Sequence, residues 1–228
     1  MAKLYFRHGA MCSSKSLNLL AVVHNYREQG KRVLVLKPRL DTRFSQGAVV
    51  SRAGLSADAD IMLDPDTQLD LAPFVGIHCV LVDEAQFLSP YLVDQLRLLT
   101  FTHNVPVICY GLRTDFLMRT FPGSQRLLEL ADTLEEVKTT CQFCNRKAVF
   151  NMRMAADGSA TAEGAQVELG AEVSRRRGCR NRAGAGHWAQ PHSSSSLTHD
   201  LPACAPTSGQ VLSHVLCMLQ CGAAPRPS

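Results

Sequence analysis

Four short apolar runs, KLYFR (3–7), RVLVLKP (32–38), HCVLVDE (78–84) and PVICYGL (106–112), constrain this chain more than any other feature. They are rich in β-branched and aromatic residues and too short for buried helices, so they read as strands covered on both faces, the pattern of a parallel sheet. Helical stretches lie between them. KSLNLLAVVHNYREQG spaces Leu17, Leu20 and Ala21 at i, i+3 and i+4 and ends in Gly30, a helix stop. SPYLVDQLRLL offers Ser89 as an N-cap and Pro90 as the first helical residue. Parallel strands joined through helices need right-handed crossovers, so an α/β fold with a parallel sheet is expected.

The character changes along the chain. Residues 1–133 carry the strand–helix alternation and form the expected core. Residues 134–172 hold a C-x-x-C pair, strand-like pieces and a turn at Asp157-Gly158, the pattern of a small β-rich subdomain. Residues 173–228 are rich in Arg, Ser, Ala, Pro and Gly with little periodicity, which reads as an atypical, disordered tail in which only QVLSHVLCMLQC (210–221) suits a short helix. Charge divides at the same place. The net charge of +4 is −1 over residues 1–172 and +5 beyond, and no lysine follows Lys147. The basic character therefore belongs to the tail, and a nucleic-acid partner is not expected. No run is long and apolar enough to span a bilayer, and MAKLYFRHGAM lacks the apolar centre of a signal peptide, so a cytoplasmic protein without a membrane partner is expected. In that compartment the nine cysteines are packing, metal-binding or reactive residues rather than disulfides.

Two motifs carry chemistry. HGAMCSSKSL follows the first strand and opens the first helix, as a phosphate loop of the pattern G-x-x-x-x-G-K-[ST] must. Gly9, Lys15 and Ser16 fit the template, and Ser14 stands where its second glycine belongs. Backbone N–H groups of such a loop wrap phosphate oxygens, the lysine offsets their charge and the hydroxyl ligates Mg²⁺. The second motif, VLVDEAQFL, puts Asp83 and Glu84 at the end of a strand, where one carboxylate can serve a metal and its neighbour other chemistry. ATP is the expected ligand, bound by Gly9, Ala10, Met11, Cys12, Ser13, Ser14, Lys15 and Ser16 together with Asp83, Glu84, Ala85 and Gln86, and with Ser16 and Asp83 on Mg²⁺.

These motifs, with HNYREQGKRVLVLKPRLDTR, HCVLVDEAQFLS, PVICYGLRTDF, FPGSQRLLELAD and EEVKTTCQFCNRKA, occur in an order and spacing that resemble the type II thymidine kinases in their bacterial form, from Met1 to about Glu172. The resemblance implies a RecA-like phosphate-loop core with a small zinc-bearing lasso subdomain. It implies Glu84 as general base for the 5′-hydroxyl of thymidine, Lys15 steadying the transferred phosphoryl group, and Asp41 and Arg43 beside the phosphates. Met11, Leu112, Phe116 and Phe121 match the family's thymine pocket. Cys141 and Cys144 match half of its structural zinc site, and the family assembles as a homotetramer. Alone, the four pocket residues would read as packing, and the C-x-x-C as either a zinc hairpin or a redox pair.

The chain departs from the family in three places. Ser14 replaces a glycine. The family's second pair, C-x-x-[CH], is missing: Cys179 stands at the right distance with no Cys or His three positions on, and His187 is a poor substitute. VELGAE (167–172) begins the lasso, but Arg175 occupies the tyrosine position, and the sudden shift in composition reads as translation in another frame after codon 172. Two other readings stay open on sequence: a kinase relative that binds nucleotide with impaired turnover, and a DNA-stimulated ATPase suggested by DEAQ and the basic tail.

Overall fold

The computed structural model describes residues 1–41, 47–154, 160–162, 166 and 175–178. All of them belong to one compact unit, Met1–Ala189. The order is β1 (Leu4–His8), α1 (Lys15–Glu28), β2 (Val33–Pro38), β3 (Ala48–Val50), β4 (Ser56–Asp58), β5 (Ile61–Leu63), β6 (Cys79–Val82), α2 (Pro90–Thr102), β7 (Val107–Gly111), α3 (Pro122–Leu130), β8 (Thr133–Glu136), β9 (Phe150–Met154), β10 (Ala160–Thr161) and β11 (Arg175–Gly178). Six strands form one sheet in the order β5-β2-β6-β7-β1-β8, and every pairing in it is parallel.

The four apolar runs form β1, β2, β6 and β7, the four inner strands. Because side chains alternate faces along a strand, each run is divided between two helical layers. Val80 and Val82 of β6 pack with Leu92, Leu96 and Leu99 of α2 and Leu127 of α3. Cys79 and Leu81 point the other way and pack with Leu19, Leu20 and Val23 of α1. The helix starts follow local chemistry. Ser89 Oγ accepts the Leu92 N–H ahead of Pro90, and Gly30, at φ +69°, lets the chain turn back beyond α1.

Three elements differ from the sequence reading. In α1 the buried stripe is Leu19, Leu20 and Val23, while Ala21 is exposed and Leu17 half-buried. Lys15 and Ser16 must face the phosphate loop, and that fixes the rotation of the helix. β8 starts at Thr133 and joins the main sheet beside β1, so the strand runs across the expected boundary at 133/134. It is an edge strand with half-buried and exposed positions alternating, which is why it lacks an apolar run. Beyond Glu172, where a structureless tail was expected, Arg175–Gly178 forms β11 and pairs antiparallel with β9; β10 completes this three-stranded sheet on the opposite side of β9. Asp157-Gly158, VELGAE and the 210–221 run lie outside the described residues.

Candidate functional site

Since the strands run parallel, the loops leaving β1, β2, β6 and β7 emerge at one edge of the sheet, where ligands bind in open α/β folds. The loop after β1 is the phosphate loop. Gly9 is obligatory there: a Cβ would stand 2.5 Å from Ser13 Oγ and 2.5 Å from the Val137 carbonyl. Cys12 and Ser14 adopt left-handed backbone conformations, with φ 58° and 62°. Ser14 therefore occupies a conformation that glycine would hold without strain. Lys15 is buried and donates from Nζ to the Ala10 carbonyl (2.9 Å) and Ser13 Oγ (3.3 Å), so its charge lies inside the loop. Met11 through Ser16, with Leu17, Val50, Ser51, Arg52, Ala53, Glu84 and Leu112, line a cavity of about 150 Å³. Gly9 and Ala10 are not part of that lining, and their carbonyls accept from Lys15 Nζ at 3.4 and 2.9 Å.

At the end of β6, Ser16 Oγ donates to the Asp83 carboxylate at 3.1 and 3.3 Å. Burial, reinforced by the charge of Glu84, pushes the Asp83 carboxyl up to about 7. Asp41, from the end of β2, adds to that effect and is itself buried against Lys37 Nζ at 3.3 Å. The Ser16 hydroxyl and the Asp83 carboxylate thus meet at the start of α1, two oxygen groups of the kind a hard cation such as Mg²⁺ takes. Arg43 lies outside the described residues.

Glu84 has a left-handed backbone, φ 48°, and lines the phosphate-loop cavity. Gln86 orients it. The buried amide donates from Nε2 to the Glu84 carboxylate and accepts the Leu112 N–H at 2.9 Å. Gly111 makes this approach possible, because a Cβ would meet Gln86 Oε1 at 2.8 Å. Gln86, expected on the nucleotide, braces the segment after β6 against the one after β7, and both it and Ala85 are buried.

A second cavity opens beside the first. Met11, Leu112, Phe116 and Phe121, the four residues expected to form one pocket, all line it, with Phe87, Asp115, Asn151, Met152, Arg153 and Gln166 completing the wall. The Arg153 guanidinium lies 4.0 Å over the Phe116 ring, and Asp115 accepts the Leu117, Arg119 and Gln166 donors. Sequence reasoning missed Asn151 and Arg153. Their signal was two polar residues alternating through FNMRM, a strand whose middle three positions are buried.

Cys141 is buried and Cys144 exposed, and the Phe143 N–H points to Cys141 Sγ at 3.4 Å. Among the described residues no group of three or more His, Cys, Asp or Glu could hold a metal. Cys179 lies outside them.

Known proteins share this sequence pattern. A thymidine kinase family model matches residues 2–182. The thymidine kinase of Enterobacteria phage T4 is 46% identical over 180 residues, covering 76% of this chain and 91% of its own. That of Xanthomonas axonopodis pv. citri is 49% identical over 176 residues (75% and 83%), and that of Chromobacterium violaceum 43% over 179 residues (78% and 96%). Among solved structures, Pif1 helicase from Candida albicans aligns with 60% of this chain and 36% of its own at a TM-score of 0.37 and 12% identity, a likeness that carries no functional argument.

Two outcomes are expected from this geometry. Ser14 is left-handed, so Ser14→Gly should raise the unfolding free energy by about 1 kcal/mol in urea titrations; no gain would mean that the serine is unstrained. Asp83 titrates in the folded protein near 7, above its ordinary 3.8, so the folded state retains a proton that the unfolded chain has released. Its contribution to stability is full below about pH 4 and is lost as pH rises through about 7. Without metal, Asp83→Asn should therefore flatten the fall in stability across that window, and an unchanged pH profile would contradict it.

Proposed function

This chain belongs to the thymidine kinase family, and from that we propose that it transfers the γ-phosphoryl group of ATP to the 5′-hydroxyl of thymidine, with Glu84 as the general base. The observation that carries the reading is the junction of the two cavities. Met11 and Leu112 line both, and Glu84 stands at the phosphate-loop side, tied through Gln86 to the Leu112 backbone. A phosphate-binding loop and an apolar, aromatic slot meeting at a carboxylate suit direct transfer between nucleotide and nucleoside.

In this reading the core is RecA-like, with loop N–H groups and the start of α1 cradling the phosphates. Lys15 leaves the loop carbonyls to meet phosphate oxygens. Ser16 Oγ and Asp83 would hold Mg²⁺, which would supply positive charge against the β- and γ-phosphates. Asp41 and Arg43 flank the phosphates. Phe116 and Phe121 sandwich the base, with Met11 and Leu112 closing its edges. Glu84, fixed in orientation by Gln86, accepts the hydroxyl proton as the oxygen attacks phosphorus.

Three further features belong to the same proposal. Cys141 and Cys144 would supply two thiolates to a structural Zn²⁺; the Phe143 N–H to Cys141 Sγ bond supports this, being what a metal hairpin makes around its thiolate. The chain assembles as a homotetramer, supported by Tyr91, Leu98 and Phe101, which stay exposed along one side of α2. It works in the cytoplasm: no described helix is long and apolar enough to cross a membrane.

Glu84→Gln should lower kcat by about 10²- to 10⁴-fold while leaving the affinity for a non-hydrolysable ATP analogue within about twofold of wild type. Full activity in that variant would remove Glu84 from the base role. Metal analysis of the purified chain should find zinc that disappears in Cys141→Ser; a zinc content equal in both proteins, or zero in the wild type, would contradict the zinc assignment.

A further inference from the structure

The three-stranded sheet reaches the phosphate loop through two side chains the mechanism does not use. Asn151 of β9 and Arg177 of β11 stand opposite one another in the antiparallel ladder. Each takes hold of the loop, and at adjacent residues. Asn151 Oδ1 accepts the Met11 N–H at 2.7 Å, and Arg177 Nη1 donates to the Cys12 carbonyl at 3.1 Å. Both are fixed from behind: Asn151 Nδ2 donates to the Thr114 carbonyl at 2.9 Å, and Arg177 Nε to the Thr140 carbonyl at 2.7 Å.

The place they grip is the part of the loop that most needs holding. Cys12 and Ser14 are both left-handed, and residues in such conformations persist only where their surroundings impose them. Met11 is also common to the two cavities, and Thr114 lies on the segment that carries Phe116. Asn151 is therefore joined at once to the phosphate loop, to the loop after β7 and to the wall of the aromatic slot. Arg177 comes from the stretch where the chain has the composition of a tail, so its hold on the loop belongs to this sequence's own C-terminal region.

We propose that Asn151 and Arg177 are positioning residues that together clamp the Met11–Cys12 segment, so that the small sheet sets the geometry of the phosphate loop. Asn151 links that geometry to the nucleoside slot, and Arg177 acts on the nucleotide side. The assignment rests on the phosphotransferase reading for its kinetic readout alone.

The test is equilibrium binding of a fluorescent ATP analogue with Mg²⁺ to the full chain, with and without thymidine, alongside thermal unfolding and steady-state kinetics. Arg177→Met should weaken analogue binding about three- to tenfold, the range of one or two hydrogen bonds, with KM for thymidine within about twofold of wild type. Arg177→Lys, which keeps one donor, should recover part of the loss. Asn151→Ala should weaken analogue binding and raise KM for thymidine as well, and the double variant should lose less than the product of the two single effects, because both side chains hold the same segment. Should Asn151→Ala fail to fold, the half-buried Arg177 decides alone. Arg177→Met binding the analogue as tightly as wild type would overturn the clamp, as would nucleotide and nucleoside affinities falling equally in step with melting temperature. A wild-type chain that binds the analogue yet never phosphorylates thymidine would overturn the phosphotransferase reading and leave the clamp to be judged on binding.

Discussion

The parallel register of the central strands is the constraint from which the site follows. With β1, β2, β6 and β7 all running the same way, their last residues, His8, Pro38, Val82 and Gly111, lie along one edge. The phosphate loop, Asp41, the Asp83–Glu84 pair and Leu112 come directly after those residues. The hydrophobic division of each strand between two helical layers holds the edge in place, and a chain that failed to bury β6 on both faces would lose the site with the fold.

That arrangement crowds like charges, and the crowding is chemically useful. The charges of Glu84 and Asp41 both act on Asp83, and the protein offsets the three with buried Lys37, the Ser16 hydroxyl and the Gln86 amide. Burial, with the charge of Glu84 added, still holds the Asp83 carboxyl above its ordinary range. Left-handed backbone at Cys12, Ser14 and Glu84 adds local strain in the same small region. Strain and like-charge repulsion at a site that must receive a polyanion with its cation lower the stability of the empty protein and favour the occupied one.

Much of this was legible in the residues, because the signals were local. The four apolar runs became the inner strands, Ser89 and Gly30 bounded helices, and the phosphate loop fell between a strand and a helix. Four apolar residues promoted by family resemblance met in one cavity. What escaped was set by partners far along the chain. β8 has no buried run because one side of it faces solvent, and β11 is a run of arginines whose backbone pairs with β9 whatever its side chains are. The rotation of α1 answers to Lys15 and Ser16 rather than to its apolar spacing. Gln86 read as a nucleotide contact and serves as a brace, since only the fold brings Leu112 to it. Asn151 and Arg177 gain meaning only once the strands that carry them are paired.

The central claim is that the two cavities exchange a phosphoryl group across their shared wall. The most direct measurement is a product balance on the purified full chain supplied with γ-labelled ATP, Mg²⁺ and thymidine. Label should appear in thymidine monophosphate in equal amount to the ADP formed, and ADP production should nearly stop when thymidine is withheld. ADP accumulating at the same rate with thymidine absent, and label recovered as inorganic phosphate, would contradict it.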